Sequence, residues 1–277
     1  MRYRDLRSHD DFRRVIELEQ LVWGYTDGED IVPVPLLVIT VKRGGILIGA
    51  FDDREVMVGF VYSLPGVTPD GHRTQWSHML GVMDAHRGTG VGRQLKLAQR
   101  RKALELGVDL VEWTYDPLQA INAHLNVRRL GVIVSTYEEN IYGESSSPLH
   151  HGTPTDRFVA EWRLRDPHVE RCIHEPDASR AGPERFAAAT RVNRTRTRDR
   201  WLECAQIDRA VDAPVLAVEI PAGFSEMQLE APALASEWRS ATRALFVGYL
   251  SRGYRVVDFQ LDRPGRRGTY LLERASA

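Results

Sequence analysis

The residues best suited to chemistry in this chain lie in and around a glycine-rich turn, Arg87-Gly88-Thr89-Gly90-Val91-Gly92. Glycines let a backbone turn tightly and let a ligand come close to it. Successive N–H groups in such a turn can point into one concavity that suits an anion. A helix beginning at the turn adds its own unbonded N–H groups and the positive end of its dipole. The natural guest of this cradle is a pyrophosphate. A P-loop is excluded, because that motif ends in Gly-Lys-Ser/Thr and here Gly92 is followed by Arg93-Gln94. A dinucleotide fingerprint fits poorly. Its third glycine falls on Arg93, and a hairpin rather than a βαβ unit precedes the turn, although Glu112 stands at a suitable distance beyond it.

The elements that must position this turn are legible from periodicity. Thr74–Asp84 reads as the strand leading into it, with Trp76, His78, Leu80 and Val82 on one face and Ser77, Met79, Gly81 and Met83 on the other. Behind it a helix runs to Leu106, with Leu95, Ala98 and Ala103 among its apolar members and Gly107 as its stop. Upstream, Tyr3–Arg7 is a short strand. Asp10 is the expected N-cap of a helix carrying Phe12, Val15, Leu18 and Leu21. Pro33–Val41 is a second helix, and Ile46–Phe51 with Val56–Leu64 forms a hairpin around Asp52–Glu55. Downstream, Leu110–Tyr115 is a strand, Asp116-Pro117 opens a helix through Leu130, and Val132–Tyr137 and Arg157–Leu164 are strands. Between those last two, Glu144–Pro154 reads as a long loop.

A polar, arginine-rich stretch from Asp166 to Arg200 then interrupts the pattern. Order returns as strand, helix, strand, strand: Val215–Ile220, Ala231–Arg252, Tyr254–Leu261 and Thr269–Leu272. The chain therefore divides near Asp166, into 1–165 and 166–277. Its 277 residues suit two domains better than one. The fold class is α/β (α+β): a mixed, mostly antiparallel sheet flanked by helices, plus a smaller C-terminal α+β domain.

Composition narrows the function classes. With 37 Lys+Arg against 38 Asp+Glu the formal charge is −1, so there is no global attraction to nucleic acid or anionic lipid. The run Arg194, Arg196, Arg198, Arg200 would share a strand face, but without interleaved aromatics it reads as a solvated or ion-paired face. No apolar run approaches the ~20 residues of a membrane helix. The N-terminal MRYRDLRSHDD is too polar for a secretory signal, so a cytoplasmic location is expected. Two cysteines, Cys172 and Cys204, make neither a disulfide framework nor a metal site, and adjacent His150-His151 lack a third ligand at useful spacing. No metal is expected.

Arg87-x-x-Gly90-x-Gly92 resembles the Arg/Gln-x-x-Gly-x-Gly/Ala signature of the GNAT superfamily of acyl-CoA-dependent N-acyltransferases. Leu80-x-Val82 upstream, and Ala123 with Leu130-Gly131 downstream, extend the likeness across residues 1–165. The whole chain is similar to two-part members of that superfamily, through DPLQAINAHLN, GTPTDRF, VEIP and EWRSATRALF in this order. The resemblance implies an acyltransferase in which a small primary amine attacks a thioester directly, within a ternary complex. Acetyl-CoA is the default co-substrate and succinyl-CoA the next, since some relatives of the two-part group are linked to N-succinylation of amino acids.

The resemblance also assigns parts. The amides of Gly88, Thr89, Gly90, Val91 and Gly92, with Arg87 beside them, would hold the pyrophosphate. A backbone N–H near Leu80 and Val82 would polarise the thioester carbonyl. His78 occupies a position where some members place a base, and imidazole chemistry suits that task. Glu112 and Asp116 are rivals acting through a water. Asn122 and Asn126, four apart on their helix, would face coenzyme A or the acceptor. Trp23, with Glu19 and Tyr25, would wall the acceptor pocket, while Asp156 and Arg157 would either take an amine and a carboxylate or form a local salt bridge at the strand start. One departure stands out. Many members carry a tyrosine acid where this chain has Val127. Tyr115, Tyr137 and Tyr142 are substitutes, and an acyl-CoA-binding sensor without turnover is the alternative. The C-terminal part would be a degenerate GNAT-like half that packs on the first domain, shapes the acceptor pocket or makes a homodimer. These stay open.

Overall fold

The computed structural model describes residues 1–25, 28–143, 153–174 and 182–274. Most of the expected loop Glu144–Pro154, and His150-His151 with it, lies outside them. The described chain forms two compact units, one of residues 1–113 with 163–165, the other of 114–143, 153–162 and 166–274. This partition differs from the division near Asp166, since residues 114–143 and 153–162 cluster with the C-terminal part.

In the first unit, β1 (Arg2–Asp5), α1 (His9–Trp23), α2 (Val34–Lys42), β2 (Ile46–Phe51), β3 (Met57–Val67), β4 (Arg73–Val82), α3 (Val91–Glu105) and β5 (Leu110–Tyr115) follow in order. Ser8, not Asp10, caps α1. Its hydroxyl accepts from Asp11 N–H at 3.1 Å, and the Asp11 carboxylate returns to Ser8 N–H at 3.2 Å. This reciprocal box fixes the helix start two residues before the expected cap. Gly24 ends α1 in the left-handed region at φ 64°. Strands β1 to β4 pair antiparallel in sequence order, and β5 joins β4 in parallel. The helices α1 and α2 bury Phe12, Val15, Leu18 and Leu37 against Phe51, Phe60, Tyr62 and Met79 of the sheet.

The second unit holds α4 (Ala120–Ala123), β6 (Ile133–Glu138), β7 (Arg157–Arg163), α5 (Pro167–His174), α6 (Pro183–Ala188), β8 (Thr190–Arg191), β9 (Asn193–Arg198), β10 (Trp201–Ile207), β11 (Val215–Pro221), α7 (Phe224–Glu230), α8 (Pro232–Leu250), β12 (Tyr254–Asp262) and β13 (Arg267–Arg274). Its main sheet runs β7-β6-β12-β13-β11-β8. The core is aromatic: Phe158 packs edge-on against Phe246 at 4.6 Å between centroids, and Tyr270 lies 4.6 Å from Phe259. Trp238, Phe246 and Tyr249 of α8 are fully buried, as their helical spacing implied. The arginine run becomes the β9–β10 hairpin, where Arg196 and Arg198 both reach Glu203 across the strands.

The helix expected from Asp116 to Leu130 begins only at Ala120, and from His124 to Arg129 it widens into a π turn. Asn122 and Asn126 consequently lie in elements of different type, the first in α4 and the second in the π turn. Asn122 is exposed, whereas Asn126 is buried.

Candidate functional site

The turn before α3 is built as its composition demands. Gly88 and Gly90 have φ of 76° and 94°, left-handed values that other residues adopt only with strain. Gly90 is the N-cap of α3 and provides no side-chain cap, and the first helical bond runs from Gln94 N–H to Gly90 O at 3.0 Å. The N–H groups of Gly88, Thr89, Gly90, Val91 and Gly92 therefore have no acceptor among the described residues. A Cβ placed at Gly88 or Gly90 would meet nothing within 4 Å, so the space above the turn is open. Arg87 braces the approach: its Nε donates to Val82 O at 3.2 Å and its Nη2 reaches Asp84 at 2.9 Å.

Strand β4 supplies the second half of the site. Its parallel ladder with β5 has three rungs, Thr74–Leu110, Gln75–Val111 and Trp76–Glu112, and ends there. Residues Ser77–Val82 continue to pair with β3 but have no ladder partner on their other side among the described residues. An unpaired strand edge thus leads straight into the glycine turn. Leu80 and Val82 lie beneath it, with methyl groups 3.9 and 3.8 Å from a Cβ built on Gly92.

The expected alternation of β4 is broken. Tyr62 pairs with Met79 and Leu64 with Trp76, so two residues, Ser77 and His78, stand opposite Ser63 alone. Such a bulge re-aims side chains. Ser77 faces α3, bonding Lys96 Nζ at 2.8 Å and Gln99 Nε2 at 2.9 Å, while the Lys96 ammonium lies over the Trp113 ring. His78 is turned to the other face, its ring edge-on to Tyr62 at 6.0 Å. It therefore does not share a face with Leu80 and Val82. The imidazole is accessible at the strand surface. The protein on its inner side still excludes enough water to hold its pKa below the ordinary value. Glu112 is half-buried at the last rung of the ladder.

The wall facing Tyr62 is formed by α1 and α2. Trp23 is half-buried, stacks on Tyr25 at 6.2 Å and meets Phe60 edge-on, and a Cβ on Gly81 would touch its ring at 3.0 Å. Thr40 and Tyr62 hydroxyls bond at 2.9 Å. Glu19 is fully buried. Its Oε1 accepts from Val32 N–H at 3.0 Å, and among the described residues Oε2 has no hydrogen-bond partner. Burial pushes this carboxyl up to about 7, against the pull of the Val32 bond.

Because the folded pKa of Glu19 is raised, the native state binds more protons than the unfolded chain between roughly pH 4.5 and 7, and stability falls as pH rises through that window. Glu19→Gln keeps an oxygen for Val32 and removes the titration. It is expected to stabilise the protein by about 2–3 kcal/mol at pH 8 and to have little effect at pH 4. Urea denaturation at both pH values checks this, and equal gains at the two would count against it.

The second unit holds the remaining predicted residues. Asp156 is fully buried and both its oxygens are engaged: Arg243 Nε and Nη2 bind them at 2.8 and 2.7 Å, Tyr137 OH donates at 2.6 Å and Asn140 N–H at 3.1 Å. Asp156 thus has no lone pair left in an open direction for an amine. Asp116 accepts a fork from Arg239 at 2.7 and 2.6 Å and the Leu118 N–H at 2.9 Å, an ion pair that holds its carboxylate in place. Arg239 and Arg243 are one turn apart on α8, an i, i+4 spacing on an otherwise apolar helix that is visible in the sequence. Val127 is core, 1% exposed. Burial pushes the Tyr115 and Tyr137 hydroxyls well above the ordinary phenol value, and the carboxylate beside Tyr137 adds to its shift. Tyr142 OH pairs with Thr114 at 2.7 Å.

No family model matches the sequence, and no curated protein matches it. Solved structures do resemble part of it. Aminoglycoside 6'-acetyltransferase type Ii is 17% identical with a TM-score of 0.46, covering 60% of this chain and 99% of its own. The ribosomal-protein-S18-alanine N-acetyltransferase from Escherichia coli is 14% identical with a TM-score of 0.46, covering 59% of this chain and 93% of its own. The NatC complex bound to Gag peptide and CoA matches at 12% identity and a TM-score of 0.47, over 58% of this chain and 97% of that one. The chain is similar to acetyltransferases. Among the described residues no helix is long and apolar enough to cross a membrane, and no cluster of His, Cys, Asp or Glu is arranged to hold a metal.

Proposed function

We propose that this protein is an acyl-CoA-dependent N-acyltransferase of the GNAT type that acts on a small primary amine, with acetyl-CoA as its default donor. The observation that carries this reading is the unpaired edge of β4 beyond Trp76, leading directly into five unpartnered amides from Gly88 to Gly92. A thioester carrier needs both. Its diphosphate takes the amides and helix end, and its extended arm takes hydrogen bonds from an open strand edge.

In the reaction, the neutral amine nitrogen attacks the thioester carbonyl carbon. A backbone N–H near Leu80 and Val82 steadies the oxyanion, a contribution of roughly 3 kcal/mol by analogy with other oxyanion holes. The carbon–sulfur bond then breaks, sulfur leaves with the electron pair and takes a proton, and the nitrogen loses one. His78 is the favoured acceptor of that proton. It is accessible, and its lowered pKa keeps the imidazole neutral at physiological pH. Glu112, acting through a water, is the rival. A thiolate whose conjugate thiol titrates at roughly 8.5 is a tolerable leaving group in water, so it can depart without a dedicated acid and take its proton from solvent.

Release of free thiol from acetyl-CoA, measured against a panel of amines, tests the proposal. His78→Ala is expected to lower turnover by ~10²-fold or more while leaving coenzyme A affinity unchanged. The wild-type pH–rate profile is expected to show an acid limb with a midpoint below the ordinary imidazole value, absent from the variant. Unchanged rates across pH in His78→Ala would reject it as the base. A second reading, an acyl-CoA sensor without turnover, is favoured by Val127 lying in the core where a tyrosine acid would stand. Coenzyme A binding with no thiol release above background on any amine would support it.

A further inference from the structure

The second unit contains a cavity of about 340 Å³ beside the tips of two of its hairpins. One tip is residues 199–200, which join β9 to β10, and the other is residues 263–266, which join β12 to β13. The buried residues that line the cavity are apolar: Leu202, Pro221 and Met227. Trp201 lines it half-buried, with the Arg200 guanidinium 4.7 Å from its ring centre. The charged lining is of one sign. Arg200, Arg266 and Arg267 contribute to it, and among the described residues no acid does.

The carboxylates that meet these arginines stand outside the lining. Glu219, which is 3% exposed, takes Arg267 Nη1 at 3.0 Å and Arg191 Nη1 at 2.7 Å. Glu226 takes Arg266 Nη2 at 2.5 Å, and Glu230 pairs with Arg200. Four guanidiniums thus meet three carboxylates, which leaves one positive charge in this network.

Arg266 is held in an unusual way. Its φ is 50°, a left-handed value that glycine takes at less cost. Its N–H donates to Arg263 O at 3.2 Å and its carbonyl accepts from Ala222 N–H at 2.9 Å, so the backbone is fixed on both sides. A Cβ on Gly223 would stand 2.8 Å from Arg266 Nη2, which places the guanidinium close against that backbone. The pair with Glu226 does not account for an arginine here. Its two side chains are 49% and 40% exposed, and pairs so exposed contribute little to stability. Backbone strain retained under a charged side chain at the edge of a cavity points to a ligand for that side chain.

We propose that this cavity binds a small monocarboxylate with an apolar body, its carboxylate on the Arg266 guanidinium and its body against Trp201 and the buried apolar residues. The planar guanidinium matches a carboxylate two bonds at a time. One surplus positive charge calls for a monoanion, which a phosphate ester near its dianionic form would overcompensate. The volume lies at the small end of ligand pockets, roughly 300–1,000 Å³. Coenzyme A has no part in this inference, which stands apart from the acyltransferase reading.

Calorimetric titration of the whole protein with phenylacetate, hexanoate, phenylacetamide and phenyl phosphate tests it. Both carboxylates are expected to bind, with the neutral amide and phenyl phosphate weaker than phenylacetate by about tenfold or more. Arg266→Gly is expected to weaken phenylacetate by a similar factor while its thermal unfolding midpoint stays at or above that of the wild type, since the left-handed strain is relieved. Arg266→Lys, which keeps the charge but not the fork, is expected to weaken it as well, and it decides the matter should the glycine variant prove unstable. Trp201→Leu is expected to reduce affinity for phenylacetate more than for hexanoate. Failure of both carboxylates to bind, an amide or phenyl phosphate that binds as well as phenylacetate, or unaltered affinity in the Arg266 variants would each overturn the proposal. Acetyl-CoA titrated into the same variants separates the two readings. Loss of phenylacetate with acetyl-CoA binding intact upholds this site, as does Arg266-dependent phenylacetate binding in a protein that ignores acetyl-CoA.

Discussion

Gly90→Val is expected to abolish coenzyme A binding, lowering affinity by at least ~10²-fold. The reason lies in backbone conformation rather than in crowding. A Cβ at Gly90 meets nothing within 4 Å, but φ there is 94°, where a β-branched residue is strained by about 1–3 kcal/mol or more. Relief of that strain rotates the peptides on either side. The amides of Gly88 to Gly92 then no longer point into one concavity, and the first turn of α3 loses its N-cap geometry. Gly92→Ala supplies the contrast. Gly92 is not in the left-handed region, and its new Cβ would rest 3.8 and 3.9 Å from Val82 and Leu80, ordinary contact distances. Near-native affinity is expected for it. Calorimetric titration with acetyl-CoA measures both, and a Gly90→Val protein that binds within about threefold of wild type would end the cradle interpretation.

Arg239→Ala is expected to cost the largest stability of any single change considered, about 3–5 kcal/mol. Its side chain is 3% exposed and the Asp116 carboxylate it grips is 13% exposed, joined by two bonds of 2.7 and 2.6 Å. Truncation leaves a carboxylate inside the protein with the Leu118 N–H as its remaining partner. The loss comes from the stranded charge more than from the pair itself, so it has a signature. Adding Asp116→Asn to the Arg239 variant is expected to recover a substantial part of the stability, an interaction that a denaturation double-mutant cycle reads directly. A loss under about 1 kcal/mol, or strict additivity of the two changes, would show that the pair is solvated and contributes little.

Much of the first unit was legible because its signals are local. The hairpin turn Asp52–Glu55 carries its own stop, Asp52 Oδ1 taking the N–H groups of Arg54 and Val56 at 2.9 Å each. The glycine turn was legible for the same reason, since two left-handed residues within three positions demand glycine whatever surrounds them. The second unit was legible in α8 and its flanking strands, whose apolar periodicity is strong, but not between Asp166 and Arg200. There short elements are held by distant partners and show little periodicity of their own.

Two site features escaped for a related reason. The bulge at Ser77 and His78 depends on how β4 registers against β3, and no pattern within β4 marks it. Once present, it sends Ser77 to α3 and His78 to Tyr62, the reverse of the pairing that alternation implies. Asp156 and Arg157 are neighbours in sequence, but Asp156 is gripped by Arg243, 87 residues away. Side-chain charge is written in sequence, whereas its neutralisation is a fact of contact.

The chain alone therefore determined the strand–turn–helix cradle, its hairpins and its buried helix stripes, because each follows from conformational preference within a few residues. The tertiary structure decided which groups remain available: the strand edge left open after three rungs, the face His78 occupies and the carboxylates already gripped. Hydrogen-bond partners are assigned by proximity in space, and residues far apart in sequence compete for the same oxygen with no trace of that competition in their order.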